Sequence, residues 1–152
     1  MLRRVDLIAR VLIVDDHAFI RRGVRSILES TPEWQICGEA ENGKDGIRLT
    51  AETKPDVILM DVTMPIMNGI EATRIIRKSF PEVKVVMITL HESSEMLKNA
   101  FRAGVVGYLL KTDAEQELLK ALRIVTVDGS YISPGFDQQA AHNVINEIST
   151  DG

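Results

Sequence analysis

Short apolar runs along the chain alternate with stretches in which apolar residues recur every three or four positions. A continuous apolar run bounded by turn-forming residues predicts a buried strand, and the wider spacing predicts an amphipathic helix. Strands are predicted at residues 11–14, 34–39, 57–60, 83–90 and 105–110. Each is followed by a helical pattern, which predicts an α/β fold: a doubly wound, five-stranded parallel sheet with helices on both faces.

Functional side chains fall at the ends of four of these strands. They are Asp15 and Asp16 after the first strand, Asp61 after the third, Thr89 near the end of the fourth and Lys111 after the fifth. Because the carboxyl ends of parallel strands share one edge of the sheet, we expect these side chains to line one crevice. Each has a simpler explanation alone, as a helix cap, a strand residue or a solvated charge. Their coincidence predicts a single site.

The chemistry of this set is coherent. Three carboxylates packed together repel one another, so they require a cation, and an all-oxygen site suits Mg²⁺ or Mn²⁺. Lys111 adds a positive charge that can hold an anionic oxygen, and Thr89 offers a hydroxyl donor. A carboxylate in these surroundings can attack phosphorus and form an aspartyl phosphate.

The motifs around these residues resemble those of a known family. They are VLIVDDHAFIRRGVRSIL, ENGKDGI, MDVTMPIMNG and AGVVGYLLK, spread in order over about residues 10–129. In composition and spacing they resemble the receiver domain of bacterial two-component response regulators, and in particular the LuxR/FixJ-type (NarL-like) transcription regulators.

This resemblance implies a flavodoxin-like sheet with strand order 2-1-3-4-5, and it implies a role for each site residue. The roles are phospho-acceptor for Asp61; Mg²⁺ ligands (Mn²⁺ also fits) for Asp15, Asp16, Asp61 and the backbone carbonyl of Thr63; phosphoryl binding and switching for Thr89, Lys111 and Tyr108; and loop shaping for Pro65 and Gly69. Leu90 departs from the family pattern, because it is bulkier than the small residue often seen there. Thr63 and His91 stand where the family varies its rate of phosphoryl loss.

The resemblance also implies partners. A sensor histidine kinase would donate the phosphoryl group, the chain would form a homodimer, and the only catalysis would be its own phosphorylation and dephosphorylation. The output would be transcription, through a helix-turn-helix DNA-binding domain that these 152 residues do not contain. The alternative is a stand-alone receiver that acts through protein contacts.

Three other function classes share parts of this pattern. A haloacid-dehalogenase-like phosphatase also uses a nucleophilic aspartate and Mg²⁺, but it needs a second aspartate where this chain has Thr63. A flavin- or nucleotide-binding domain needs a phosphate-cradling loop after the first strand, where Asp15 and Asp16 would repel phosphate. A degenerate receiver that only binds partners is disfavoured by the complete acidic set.

The predicted domain organisation has three parts: a leader at 1–9, the receiver domain at 10–129 and a helical linker at 130–152. Within the linker, Ser133 followed by Pro134 predicts a helix start. Further on, apolar residues recur at helical spacing, at Ala141, Val144, Ile145 and Ile148. We expect this stripe to pack on the receiver or on a second copy of the linker. Asp113, with Gln116 three residues on, predicts a capping box for the preceding helix.

Composition excludes several classes. The net charge of −4 argues against binding of nucleic acid or of an anionic membrane by this chain alone. A single cysteine, Cys37, excludes an intramolecular disulfide and a cysteine zinc cluster. There is no transmembrane run, and charged residues interrupt any signal peptide, so we expect a cytoplasmic protein that does not bind a membrane.

Overall fold

The computed structural model describes residues 8–136 and 138–151. Its sheet is parallel throughout, with strand order β2-β1-β3-β4-β5-β6. The strands are β1 (Ala9–Val14), β2 (Trp34–Ala40), β3 (Val57–Asp61), β4 (Lys84–Thr89), β5 (Gly107–Leu110) and β6 (Tyr131–Ile132). The order of the first five confirms the flavodoxin-like prediction, and the sixth strand corrects the predicted strand count. It was missed because a two-residue strand carries no periodic signal.

Helices cover both faces of the sheet, as predicted. They are α1 (Ala18–Glu29), α2 (Gly43–Thr53), α3 (Gly69–Ser79), α4 (Ser94–Ala103), α5 (Ala114–Thr126) and α6 (Gln138–Asp151). One apolar core contains the inward residues of α1 and α5, including Leu28 and Leu122. A second core on the other face contains those of α3, α4 and α6, including Ile76, Leu97 and Val144. The alternating strand and helix patterns therefore translate directly into three layers.

Side-chain caps fix where three of the helices start. Asn42, Asn68 and Ser93 each accept a hydrogen bond from a backbone N–H three residues on, at 2.8, 2.9 and 3.2 Å. The capping box predicted at Asp113 is wrong, since that side chain makes no cap bond. Its carboxylate instead accepts hydrogen bonds from the Ser133 hydroxyl and, at 3.0 Å, from the backbone N–H of Gly135.

The segment after α5 belongs to the folded body. Its helix begins at Gln138 and not at Pro134 as predicted, because the Ser133 side chain is fully buried and bonded to Asp113. The predicted apolar stripe is largely confirmed: Ala141 and Val144 are buried in the core beside α4. The segment 130–152 was predicted as a linker, and within its described part it adds a strand and a packed helix to the receiver.

The predicted leader at 1–9 falls mainly outside the described residues. Ala9 is described, and it already belongs to β1, where its backbone N–H donates to the carbonyl of Glu33 at 3.0 Å. Among the described helices, none combines the length and the apolar character needed to cross a membrane.

Candidate functional site

The sheet brings the predicted site residues together at the carboxyl ends of its central strands. Asp15 directly follows β1, Asp61 is the last residue of β3, and Thr89 is the last residue of β4. Lys111 directly follows β5, at the start of a single 3-10 turn that leads into α5. Neighbouring strands are in register at these ends, with Asp61 level with Ile88 of β4. The crevice predicted from the sequence therefore exists.

A buried ion-pair cluster forms the floor of this crevice. The Lys111 ammonium lies 3.0 Å from Asp15 Oδ2 and 3.3 Å from Asp61 Oδ1. All three side chains are at most 6% exposed. Burying one of these charges alone would be costly, so the two carboxylates and the lysine stabilise one another. With Asp16 at the rim, three carboxylates face one ammonium, and the cluster keeps an excess of negative charge.

That excess shows in the ionisation of Asp61. Its pKa is raised to about 6: burial is the largest cause and the charge of Asp15 adds to it, while the ammonium of Lys111 opposes both effects. A carboxyl group with a raised pKa in a crevice is a candidate functional group. A divalent cation placed here would favour the ionised form.

The acidic side chains fit a divalent cation. Asp16 Oδ1 and Asp61 Oδ2 are buried and accept no hydrogen bond from the described residues. Four possible ligand atoms lie within 4.8 Å of one another: one carboxylate oxygen each from Asp15, Asp16 and Asp61, and a ring nitrogen of His17. Carboxylate oxygens with free lone pairs at this spacing suit a small, hard cation such as Mg²⁺.

The loop between β3 and α3 shapes one wall of the site. Pro65 and Thr63 are exposed on it. The Pro65 carbonyl accepts a hydrogen bond from the N–H of Met67 at 2.8 Å, which closes a three-residue turn around Ile66. The φ of Ile66, 71°, is rare for a β-branched residue. Gly69 donates its N–H to Val62 at 2.8 Å, and a Cβ on Gly69 would lie 1.9 Å from the carbonyl oxygen of Asp61. Only glycine allows this approach of α3 to the strand end.

Thr89 and Tyr108 are linked through the loop that follows β4. The Thr89 hydroxyl accepts the N–H of His91 at 3.2 Å, and the Tyr108 hydroxyl donates to the carbonyl of the same residue at 2.8 Å. Both side chains are at most 1% exposed, so the tyrosine ring is turned inward. The His91 ring lies 3.3 Å from the Thr63 hydroxyl, and Leu90 is 68% exposed.

Two residues of the site were not predicted from the sequence. The His17 Nδ1 lies 3.1 Å from carboxylate oxygens of both Asp15 and Asp16. The Arg21 guanidinium donates to the backbone carbonyl of Asp15 at 2.5 Å and thereby fixes the loop after β1. The adjacency of His17 to the acidic pair was visible in the sequence. The role of Arg21 depends on how α1 packs beside β2, which no local pattern encodes.

Comparisons with known proteins agree with this geometry. The family described as "Response regulator receiver domain" matches residues 11–123. The chain is 37% identical over 138 residues to "Transcriptional regulatory protein DegU" of Brevibacillus brevis, covering 91% of this chain and 57% of that protein. It is 41% identical over 132 residues to "Response regulator GacA" of Pseudomonas aeruginosa, covering 87% of this chain and 62% of that protein. It thus spans less than two thirds of these relatives.

A solved structure gives the same result in three dimensions. The crystal structure of a LuxR-family two-component response regulator from Aurantimonas sp. SI85-9A1 superposes with a TM-score of 0.84 at 35% identity. The match covers 90% of this chain and 98% of that one, so it reaches beyond the region matched by the family. Together with the family match, it shows that this chain belongs to the response regulator receiver domain family, among relatives of the LuxR/NarL type.

Proposed function

We propose that this chain is a phospho-accepting receiver in which Asp61 takes a phosphoryl group from a sensor histidine kinase. The observation that carries the proposal is the setting of the Asp61 carboxylate. Its Oδ1 lies 3.3 Å from the Lys111 ammonium, and its Oδ2 accepts no hydrogen bond from the described residues. One oxygen of this carboxylate would attack phosphorus while the other faces the cation, a P–O bond would form, and the P–N bond of the phosphohistidine would break to release imidazole.

The surrounding residues would offset the charge of the transferring group. Lys111 is already at the acceptor and can shift its ammonium to a phosphoryl oxygen as a point charge. Thr89 can donate its own hydrogen, since among the described residues its hydroxyl accepts from the N–H of His91 and donates to none. A bound Mg²⁺ would supply further charge neutralisation, held by Asp15, Asp16, Asp61 and the backbone carbonyl of Thr63. Catalysis on this view is limited to the phosphorylation and dephosphorylation of Asp61.

The same geometry disfavours a phosphatase of the haloacid-dehalogenase type. Such an enzyme needs an acid two residues after the nucleophile, to protonate the leaving group. Thr63 occupies that position, is exposed and contacts His91. A threonine hydroxyl does not serve as a general acid near neutral pH.

Intact mass spectrometry tests the assignment. The protein is incubated with acetyl phosphate, with Mg²⁺ or with EDTA. A single phosphoryl adduct is expected with Mg²⁺ and not with EDTA. It should be absent in Asp61→Asn and present in Asp128→Asn, which changes an aspartate that is 84% exposed. An adduct that persists in Asp61→Asn overturns the proposal.

We also propose that phosphorylation acts through Thr89, His91 and Tyr108 on α4 and the surface beside it. These residues already form one hydrogen-bonded path from the acceptor crevice to β5. Movement of Thr89 toward a phosphoryl group would disturb the bond to His91 and so the loop that leads into α4. Homodimerisation is the proposed readout. Beryllofluoride with Mg²⁺ should shift amide signals along this path, and unchanged signals would contradict the coupling.

The proposed output is transcription, by a cytoplasmic protein. Support comes from the relative named "Transcriptional regulatory protein DegU", of which this chain matches 57%. A helix-turn-helix domain downstream of the receiver would account for the remaining length. Sequencing the reading frame past codon 152 tests this directly: a stop codon there would favour a stand-alone receiver that acts through protein contacts.

A further inference from the structure

His17 sits at the mouth of the acidic crevice. It follows Asp16 and precedes the first residue of α1, and its side chain makes no capping bond to that helix. The ring is 60% exposed, yet its Nδ1 faces inward. That nitrogen lies 3.1 Å from Asp15 Oδ1, 3.1 Å from Asp16 Oδ1 and 4.0 Å from Asp61 Oδ2. The imidazole thus points into the proposed cation site.

These separations match those between ligands of one ion. A six-coordinate cation with ligands at about 2.1 Å places neighbouring ligand atoms about 3.0 Å apart and opposite ones about 4.2 Å apart. The two shorter distances from His17 Nδ1 correspond to neighbouring ligands, and the distance to Asp61 approaches that of opposite ones. The oxygens that share this space include Asp16 Oδ1 and Asp61 Oδ2, which no described donor satisfies.

We propose that His17 is a nitrogen ligand of this cation site and shifts its preference from Mg²⁺ toward divalent first-row transition ions. The inference rests on the proposed cation-dependent phospho-acceptor site and specifies which ions it takes. Carboxylate and carbonyl oxygens alone suit Mg²⁺ and Mn²⁺, whereas imidazole suits Fe²⁺, Co²⁺, Ni²⁺ and Zn²⁺. A site with three carboxylates and one imidazole keeps its affinity for hard ions and gains affinity for softer ones.

The competing explanation is a purely local role, in which the ring hydrogen-bonds to the acidic pair. Asp15 Oδ1 already accepts the backbone N–H of His17 at 2.8 Å, so the loop is held without the ring. If the ring only forms hydrogen bonds, the carboxylates alone set the ion preference, and an asparagine at position 17 can take over its role. If the ring is a ligand, asparagine cannot replace it, because an amide would bind the ion through oxygen and not through nitrogen.

The test is a pair of calorimetric titrations, with Mg²⁺ and with Co²⁺, on tag-free full chain. The variants are His17→Ala, His17→Asn and, as matched control, His142→Ala, an exposed histidine on α6. Loss of the nitrogen ligand should lower the ratio of Co²⁺ to Mg²⁺ affinity by about tenfold or more in both His17 variants. The ratio should not change in His142→Ala. Pulsed EPR of the Mn²⁺-loaded wild type should detect ¹⁴N coupling that both His17 variants lack.

Asp61→Asn separates the outcomes. If it weakens both ions while the His17 variants leave the ratio and the ¹⁴N coupling unchanged, the cation site stands and the ligand role of His17 is overturned. If neither ion binds the wild type, the proposed cation-dependent function fails together with this inference. If the ratio of Co²⁺ to Mg²⁺ affinity falls in His17→Ala but keeps its wild-type value in His17→Asn, the ring acts by hydrogen bonding, and the proposal is also overturned.

Discussion

The ring of Phe136 packs edge-on against the ring of Tyr108, with centroids 5.8 Å apart and ring planes at 82°. Both rings are buried, and the tyrosine belongs to β5 in the centre of the proposed switching path. Phe136 lies in the segment that joins β6 to α6. The part of the chain that follows the last main helix of the receiver is therefore in direct contact with the residue that is proposed to respond to phosphorylation.

Truncation of this ring should destabilise the whole domain. Phe136 is 4% exposed and lies near the end of the described chain, so Phe136→Ala should lower the free energy of unfolding by about 3 kcal/mol, the low end for buried aromatic deletions. Urea denaturation measures the loss. Phe19→Ala is the matched control: Phe19 is 77% exposed, and its removal should cost less than about 0.5 kcal/mol. Equal losses in the two variants would mean that Phe136 is not part of the core.

Removal of one hydroxyl should loosen the loop between β4 and α4. In Tyr108→Phe the carbonyl of His91 loses its donor, which should cost about 1 kcal/mol of unfolding free energy. Amide exchange in residues 90–93 should accelerate. The control is Tyr131→Phe, which removes a hydroxyl that donates to Glu117 on α5. If amide exchange in residues 90–93 also accelerates in Tyr131→Phe, or does not accelerate in Tyr108→Phe, the Tyr108 hydroxyl does not hold the loop.

The layers and the site were predictable from the sequence because their signals are local or periodic. Buried parallel strands are continuous apolar runs, and functional side chains at their ends must converge. The errors lie where a tertiary contact overrides a local preference. Ser133 and Asp113 each carry a capping signal, yet they bond to one another across 20 residues of chain, and Asp113 makes no cap bond to α5. Arg21 was missed for the same reason, since its partners Glu39 and Glu41 lie on or just after β2.

Asp61 should make stability depend on pH in the absence of divalent cations. Its folded pKa of about 6 exceeds the value of about 4 in an unfolded chain. The folded state therefore holds the proton more tightly, and this contribution to stability is lost as pH rises from about 4 to about 6. Above pH 6, burial of the ionised carboxylate costs about 1 to 3 kcal/mol. Asp61→Asn should remove that cost, and Lys111 keeps Asp15 as a partner.

Urea denaturation in EDTA at pH 4, 5 and 7.5 measures this effect. Asp61→Asn should be more stable than wild type at pH 7.5, and the difference should shrink toward pH 4. Glu82→Gln, at an exposed position two residues before the start of β4, is the control and should show the same pH dependence as the wild type. A parallel pH dependence of Asp61→Asn and wild type would contradict the raised pKa.

Two glycine substitutions should have opposite effects. In Gly69→Ala the new Cβ would meet the Asp61 carbonyl oxygen at 1.9 Å and Met60 Cγ at 2.9 Å. Relief of that clash requires backbone movement, so we expect a loss of about 3 kcal/mol in unfolding free energy and slower phosphorylation. Gly23→Ala meets no atom within 4 Å in the middle of α1, and should raise stability by about 0.5 to 1 kcal/mol. Thermal denaturation and the acetyl phosphate reaction measure both. Wild-type behaviour of Gly69→Ala would show that the loop is not shaped by that contact.

The shortness of β6 conceals what it does for the sheet. The N–H groups of Tyr131 and Ser133 donate to the carbonyls of Val106 and Tyr108, at 3.0 and 2.9 Å. Without them β5 becomes an outermost strand with unpaired carbonyls and no charged residue, which is a template for pairing with another chain. A receiver shortened to residue 129 should therefore aggregate through β5. Dimers of such a fragment would arise from pairing between exposed β5 strands and should not be taken for the dimer proposed to form on phosphorylation.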